Sequence, residues 1–477
     1  MTHPPSPISH PLSVICYLLS VICYLFSSLC SLHAAENILD NAQKGISAWC
    51  VDPCGARPVL PDDDGTTALS GGLDAVAAGG SVATLSLAVK SATPVSSLSV
   101  SCDGLACGER KLPASAVDLL LVKCWYQDGN AWFTDLRDPS GHILIPELLL
   151  HDDALVVADE KARANFVRAG GKAVPAAEVK VADRDAPSLR PFALRTGEVR
   201  QLLVRVAVAP GTPPGIYRGQ LAFAADGAPA GRADLTLRVL AYDLPRPRAR
   251  FADADYLFVS PRGWPALPSG IAPLPAPLDA RALAEDGYAV GEKEDENLAA
   301  SKKYHVFRTP ATRRQLQARR AIGAVALEAA PPLAGIENPA PWRRKKGVAA
   351  WLRGYGGILV PALAEAVSPW NDDHGDTRSR TLLYPAADGS SIPTLASVAL
   401  EEAWFDVCYL SALNERAREL LSNADTRLAV EGRRALAWLA DIDASPSAPA
   451  TVRLDAIAWL ERLRAILTPS KPNKEHP

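Results

Sequence analysis

GIYRGQLAFAADG (residues 215–227) and ADLTLRVLAYDLP (233–245) together decide the fold class of the first half of this chain. Tyr217, Leu221 and Phe223 fall on one side of an extended backbone, with Arg218 and Gln220 on the other. Leu235, Leu237 and Val239 alternate in the same way with Thr236 and Arg238. A period of two places alternate side chains on opposite faces of a strand, so each run predicts a strand with one buried face. Just before them, in APGTPPGIY (209–217), the prolines preset the backbone while Gly211 and Gly215 allow a turn into the strand. Outward lie VDLLLVKCWYQ (117–127), ILIPELLLHDDALVV (143–157) and VRQLLVRVAVAP (199–210). Short β-rich runs with no helical pattern between them predict an antiparallel β-sandwich, assigned to residues 36–247. His151, Asp152 and Asp153 read as a solvated strand end and turn rather than as metal ligands.

Beyond the sandwich, PRGWPALPSGIAPLPAPLD (261–279) suits neither a helix nor a central strand, and residues 248–280 read as a proline-rich linker. A short strand is predicted at Tyr288–Gly291 and a basic helix around Thr312–Ile322. From Trp342 onward the helix RRKKGVAAWLRG (343–354) leads to the strand ILVPAL (358–363) and the loop AEAVSPWNDDHGD (364–376). The strand TLLYP (381–385), the loop AADGSS (386–391) and a helix from Thr394 follow. Strand–loop–helix repetition is the pattern of a (β/α) barrel, whose post-strand loops face the ligand. A complete barrel takes ~250 residues, so residues 281–425 predict a truncated, barrel-like domain. Leu400, Trp404, Val407 and Leu410, then Leu454, Ile457 and Leu460, recur at helical spacing, with a break at Ser445–Pro449. C-terminal helices are therefore assigned to 426–468 and a frayed tail to 469–477. The predicted class is multidomain, β and α/β.

Lys and Arg number 50 against 53 Asp and Glu, for a net charge of -3, and no continuous basic stripe is present. That balance excludes a nucleic-acid partner. Residues 12–32 (LSVICYLLSVICYLFSSLCSL) are uncharged and largely apolar and run into small residues before Glu36. They predict a signal peptide at 1–35 and export to a periplasmic or extracellular location. The length of the segment, with no Lys or Arg before it, leaves an uncleaved anchor as the alternative, the one case in which a membrane is a partner. Cys50/Cys54 and Cys102/Cys107 are either two small disulfide loops or free thiols, their spacings being looser than zinc motifs prefer. No metal and no cofactor are expected.

The order KCWYQDGNAW, IPELLLHDDALVV, PGTPPGIYRGQLAF, LRVLAYDLPRP resembles, over roughly residues 119–247, the sandwich attached to catalytic barrels similar to glycoside hydrolase family 123. The resemblance extends through Arg343, Arg344, Gly347, Trp351, Gly354, Tyr355 and Gly357, then Trp370, Asn371 and Asp372, then Tyr384, Pro385, Asp388 and Gly389. In TLASVALEEAWFDVCYL (394–410), Glu402, Asp406, Tyr409 and Leu410 match the last motif. Val398, Glu401, Phe405 and Cys408 stand where the resemblance expects Glu, Arg, Asp and Arg. A polar network works as a satisfied set, so these exchanges predict a relaxed or abandoned sugar site.

The resemblance implies substrate-assisted hydrolysis of N-acetylhexosaminides: the acetamido oxygen attacks the anomeric carbon, an Asp steadies the ring, and an adjacent Glu protonates the leaving oxygen. The nearest candidates for that pair are Glu294, Asp295 and Glu296 in YAVGEKEDEN (288–297), a stretch that also reads as a solvated charge run. Trp370 is expected either to stack on a sugar face, with Asn371 and Asp372 bonding hydroxyls, or to plug the end of an incomplete barrel. Tyr355, Tyr384 and Asp388 complete the expected substrate contacts. Asp372, Asp373, His374 and Asp376 read as solvated acids rather than a cation site. Two functions follow: a family-123-like carbohydrate-active protein taking an amino-sugar glycan, or a non-catalytic module binding glycans or proteins.

Overall fold

The computed structural model describes residues 36–43, 45–128, 142–259, 288–291, 304–307, 310–329, 338–360, 370, 381–442 and 449–467. One sandwich sheet has the order β1 (Ile46–Cys50), β3 (Ser81–Ser91), β13 (Val199–Val208), β7 (Val117–Asp128), β8 (His142–Leu150), antiparallel throughout. The other has the order β12 (Phe192–Leu194), β4 (Val95–Cys102), β14 (Gly215–Ala225), β15 (Ala228–Asp243), β2 (Leu73–Gly79). β5 (Gly104–Cys107) pairs with β14 and with β6 (Arg110–Pro113), and β2 runs parallel to β15. Tyr217, Leu221, Phe223, Leu235, Leu237 and Val239 all point into the core between the sheets, as the alternation predicts. A three-stranded sheet of β9 (Val156–Asp159), β10 (Ala164–Ala169) and β11 (Lys172–Pro175) flanks it. The strands between Ile46 and Pro113, not singled out in the sequence, complete both sheets.

The second half contains a parallel sheet of order β16 (Leu257–Val259), β20 (Gly357–Leu359), β19 (Val325–Ala329), β18 (Tyr304–Phe307), β17 (Tyr288–Gly291). Helix α1 (Arg313–Ala321) links β18 to β19, started by a Thr312–Gln315 capping box and followed by Gly323 at φ 75. α2 (Pro339–Arg343), a π-helical stretch (Arg344–Ala349) and α3 (Ala350–Arg353) link β19 to β20. In a closed eight-stranded barrel the first strand lies between the second and the last. Here the first, β16, pairs with the last, β20, while the second, β17, lies at the opposite edge. The sheet is a curled half-barrel in which, among the described residues, no strand bridges β16 to β17. Only residues 260–287 separate the two edge strands, and a βαβ unit alone needs about 30 residues.

TLLYP does not supply a further barrel strand. β21 (Leu383–Pro385) instead forms an antiparallel hairpin with β22 (Ser391–Pro393), because Asp388 at φ 68 and Gly389 at φ 79 fold the chain straight back. The hairpin docks on the sandwich through bridges Leu148–Thr394 and Ala182–Ala386. Helix α4 (Leu395–Leu421) starts at a Thr394–Ser397 capping box and is buried at every position from Leu395 to Ser411. It serves as a shared axis, since its faces pack on the sandwich, on α2–α3, and on α5 (Thr426–Asp441) and α6 (Pro449–Leu467). On α6, Ile457 and Leu460 are buried as expected, but Leu454 points to solvent.

All six cysteines among the described residues are free thiols, against the disulfide reading of Cys50/Cys54 and Cys102/Cys107. Cys50 belongs to the sandwich core and Cys54 to the cluster under the parallel sheet, so their side chains enter different cores. Cys102 sits opposite Leu221 on β14, whereas Ala106 sits opposite Arg218. That register places Cys107 roughly 13 Å along the strand from Cys102 at ~3.4 Å per residue, well beyond disulfide reach.

Candidate functional site

The motif at 343–357 occupies the seam where α2–α3 meet α4. Arg343 donates to both oxygens of Asp406, from Nε at 2.8 Å and from its terminal nitrogen at 2.9 Å. Arg453 of α6 approaches the same carboxylate at 2.6 Å and Glu402 at 2.7 Å, and Glu402 also accepts from Thr84 of β3 at 2.7 Å. Burial opposes the Arg343 charge, but Asp406 outweighs it and holds the guanidinium protonated well above its ordinary range. Gly347 lets the π-helical stretch touch α4: a Cβ there would stand 2.6 Å from the Ala403 Cβ. Trp351 is enclosed and donates from Nε1 to Arg248 O at 2.7 Å. Gly354 closes α3 in the left-handed conformation at φ 95. Tyr355, expected on a substrate, is buried with its hydroxyl accepting from Ala311 N at 2.6 Å. Each of these motif residues therefore has a structural partner.

The exchanged positions of α4 are explained by the same seam. Val398 packs with Leu120, Val122, Leu149 and Leu203 on the outer face of the sandwich, and Phe405 and Cys408 pack with Val82 and Ala207. Glu401 pairs with Arg205 of β13. Apolar side chains meet an apolar sheet face, and the one new charge meets an opposite charge. The polar set predicted to be half lost is instead a closed network around Asp406, joined to an apolar contact.

Trp370 is fully buried rather than exposed at a barrel mouth. Its ring meets Tyr384 at 4.7 Å and Trp125 at 6.0 Å, and Nε1 donates to Pro385 O at 3.0 Å. The ring plugs the junction between the hairpin and the sandwich, so no face is open for sugar stacking. The Tyr384 hydroxyl donates to Glu147 Oε1 at 3.0 Å, and Glu147 Oε2 accepts from Trp125 Nε1 at 2.7 Å and from Gln127. Asp388 stays exposed, accepts from Ser390 N at 3.1 Å and lies 3.4 Å from Arg184. Asn371, Asp372, Glu294, Asp295 and Glu296 lie outside the described residues, as do Asp373, His374, Asp376, the 12–32 segment and the 469–477 tail.

His151, Asp152 and Asp153 are not a solvated turn. His151 Nε2 meets Asp118 at 2.7 Å and Nδ1 meets Asp185 at 3.5 Å. Burial alone would lower the imidazole, but those hydrogen bonds outweigh it and push it up to about 9. Asp152 binds Arg168 at 3.0 Å and Arg190 at 3.1 Å, and Asp153 binds Lys123 at 2.8 Å. A charged residue at the end of an apolar strand is pulled inward wherever opposite charge is placed across the sheet, which a single run cannot reveal. Among the described residues no group of three His, Cys, Asp or Glu is placed to hold a metal ion, and no helix is long and apolar enough to cross a membrane.

At the C-terminal edge of the half-barrel the two faces differ. Phe258, Ile358, Glu328 and Phe307 share the helix-covered face. Glu328, missed in the sequence although it interrupts the apolar run VALEA, lies 3.4 Å from Lys346 and 3.7 Å from Arg353, with Oε2 unpartnered. Tyr304, Val306, Val325, Leu327, Ala329, Leu257 and Leu359 form the other face, and none of these carries a carboxylate.

No family model matches the chain, and no curated protein matches its sequence. Among solved structures, a family 123 glycoside hydrolase from Clostridium perfringens that acts on glycolipid glycans is similar, with a TM-score of 0.52 and 10% identity. The match covers 88% of this chain and 100% of that one. AvmM, a macrocyclization catalyst of alchivemycin A biosynthesis (TM-score 0.19, 9% identity, 41% of this chain and 89% of that one), carries no argument. The same holds for the N-terminal domain of PorA (TM-score 0.15, 8% identity, 39% and 99%). What stands is a glycosidase-like fold.

Proposed function

We propose that this is an exported protein that binds an amino-sugar glycan without hydrolysing it, a glycosidase-like scaffold turned to recognition. The observation that carries this reading is the pairing of β16 with β20: among the described residues no strand bridges β16 to β17, and the face of the sheet away from the helices is apolar and buried. Two carboxylates with opposite protonation tasks have to converge at neighbouring strand ends for glycoside hydrolysis. Glu294, Asp295 and Glu296 follow Gly291 at the end of β17, which among the described residues has a neighbour on one side only. The glycan class rests on the full-length likeness to a hydrolase acting on glycolipid glycans and on the order of the sequence motifs. Export rests on the apolar 12–32 segment.

The test pairs turnover with binding. Purified Glu36–Pro477 is expected to leave aryl β-N-acetylgalactosaminide and aryl β-N-acetylglucosaminide intact while retaining affinity for amino-sugar glycans in a calorimetric titration. Turnover that disappears in Glu294→Gln or Glu296→Gln would replace this reading with the hydrolase.

A further inference from the structure

A cleft of about 310 Å³ opens where the sandwich, the β21–β22 hairpin and α4 meet, and Leu149 and His151 of the motif IPELLLHDDALVV are among the residues that line it. Its floor is apolar, made by Leu120, Leu149, Val398 and Ile392, and its polar groups are rigidly held. Arg205 and Asp118 are cross-strand neighbours on β13 and β7, and Glu401 reaches Arg205 from α4. His151 is clamped against Asp118 at the rim. The volume lies at the low end of small-molecule sites, ~300–1,000 Å³.

Two polar atoms enclosed just behind this wall have no hydrogen-bond partner: Glu401 Oε1 and Arg205 Nε. Glu401 is 3% exposed and Arg205 7%, so both are deeply buried, and each residue lines the cleft. An unmet buried group costs about 1–3 kcal/mol, which a ligand meeting it recovers. The chemistry of the pair selects the ligand. An ammonium group would serve the carboxylate and leave the Nε–H unmet; an anion would serve the Nε–H and face the carboxylate. A hydroxyl both donates and accepts, so adjacent hydroxyls satisfy both atoms at once.

We propose that this cleft is a binding site for a neutral sugar or polyol ring, whose adjacent hydroxyls meet Glu401 Oε1 and Arg205 Nε while its C–H face rests on Leu120 and Val398. Burial pushes the Glu401 carboxyl up to about 7, against the pull of Arg205, and a hydroxyl can pair with that group in either protonation state. The choice of an amino sugar as first probe rests on the glycan reading above; the site itself does not.

The experiment is calorimetric titration of the purified protein with methyl β-N-acetylgalactosaminide and with myo-inositol, using acetate and methylammonium as charged controls. One or both neutral ligands are expected to bind. Affinity is expected to fall tenfold or more in Glu401→Gln and Arg205→Lys, and in Val398→Phe, which fills the cleft and leaves the ion pair in place. Thermal melting identifies any variant that fails to fold, and Val398→Phe remains informative if the other two do. An amino sugar bound equally by all three folded variants overturns the cleft and spares the glycan reading. Inositol bound and lost in the variants, with no amino sugar bound, keeps the cleft and overturns the glycan reading. No neutral ligand bound overturns both.

Discussion

The sandwich and the half-barrel differ in how each holds itself together. Strands β13, β14 and β15 run 10, 11 and 16 residues, pair along almost their whole length and enclose one continuous core. The five parallel strands are only three to five residues long, and the sheet they form is covered by helices that belong equally to other neighbours. The first region is stabilised from within. The second depends on α4, whose buried Asp406 ties α2 to α6 and whose Glu402 reaches the sandwich at Thr84. An open, barrel-like sheet keeps its shape by leaning on a neighbour.

The strongest way to break this contrast is Asp406→Asn. It leaves Arg343 and Arg453 in a buried site with Glu402 as the single carboxylate between them. Removing one partner of a buried ion pair costs about 3–5 kcal/mol. Hydrogen exchange is expected to show α4–α6 and the parallel sheet losing protection while β13–β15 keep theirs. Loss of both regions in a single step would mean that the sandwich does not stand on its own core.

The contrast also accounts for what could be read in advance. Alternation along β14 and β15 is local information, so each strand and its buried face were visible in 11 to 16 consecutive residues. Tyr288–Gly291 and the helix at Thr312 were equally legible, since each carries its signal in its own few residues. Strand neighbours in a parallel sheet carry no such mark: nothing in Leu257–Val259 says that it will pair with Gly357–Leu359 rather than with the next strand. TLLYP has the composition of a barrel strand, and only the turn at Asp388–Gly389 turns it into a hairpin. The candidate site was harder still. Motif residues with partners far away in the chain, such as Tyr409 with its hydroxyl accepting from Ala78 N at 2.9 Å, look like ligand contacts until the partner is known.

A pH titration sharpens the contrast between the two charged clusters. Asp406 holds the Arg343 and Arg453 guanidinium groups at the seam protonated above their ordinary range, but His151 at the sandwich end gives up its proton at alkaline pH. Its folded value of about 9 lies above the ordinary 6.5, so the folded state binds the extra proton. That contribution is fully present below about pH 6.5 and is lost as pH rises through 9, roughly 3 kcal/mol in all. Denaturant unfolding of the wild type minus that of His151→Gln is expected to show the difference shrinking over this window. A difference constant with pH would mean that His151 is not held as an imidazolium by Asp118 and Asp185.

The smallest effect separates a plug from a platform. Trp370→Phe keeps an aromatic ring against Trp125 and Tyr384 but removes the Nε1 bond to Pro385 O and part of the ring volume. The expected cost is about 1–2 kcal/mol of stability, read from the shift in unfolding midpoint, with glycan affinity unchanged. A sugar platform would behave in the opposite way, because an exposed ring contributes contact with the ligand and little to folding. A fall in affinity at unchanged stability would therefore require the hairpin to swing away from Glu147 when ligand binds, exposing a ring that the unliganded protein encloses. Nothing in the packing favours that movement: the Tyr384 hydroxyl, the Trp370 indole and the backbone bridges at Thr394 and Ala386 all fasten the same hairpin to the sandwich. Ligand binding would have to replace every one of those contacts, whereas the cleft beside β22 is already open in the same structure that keeps them.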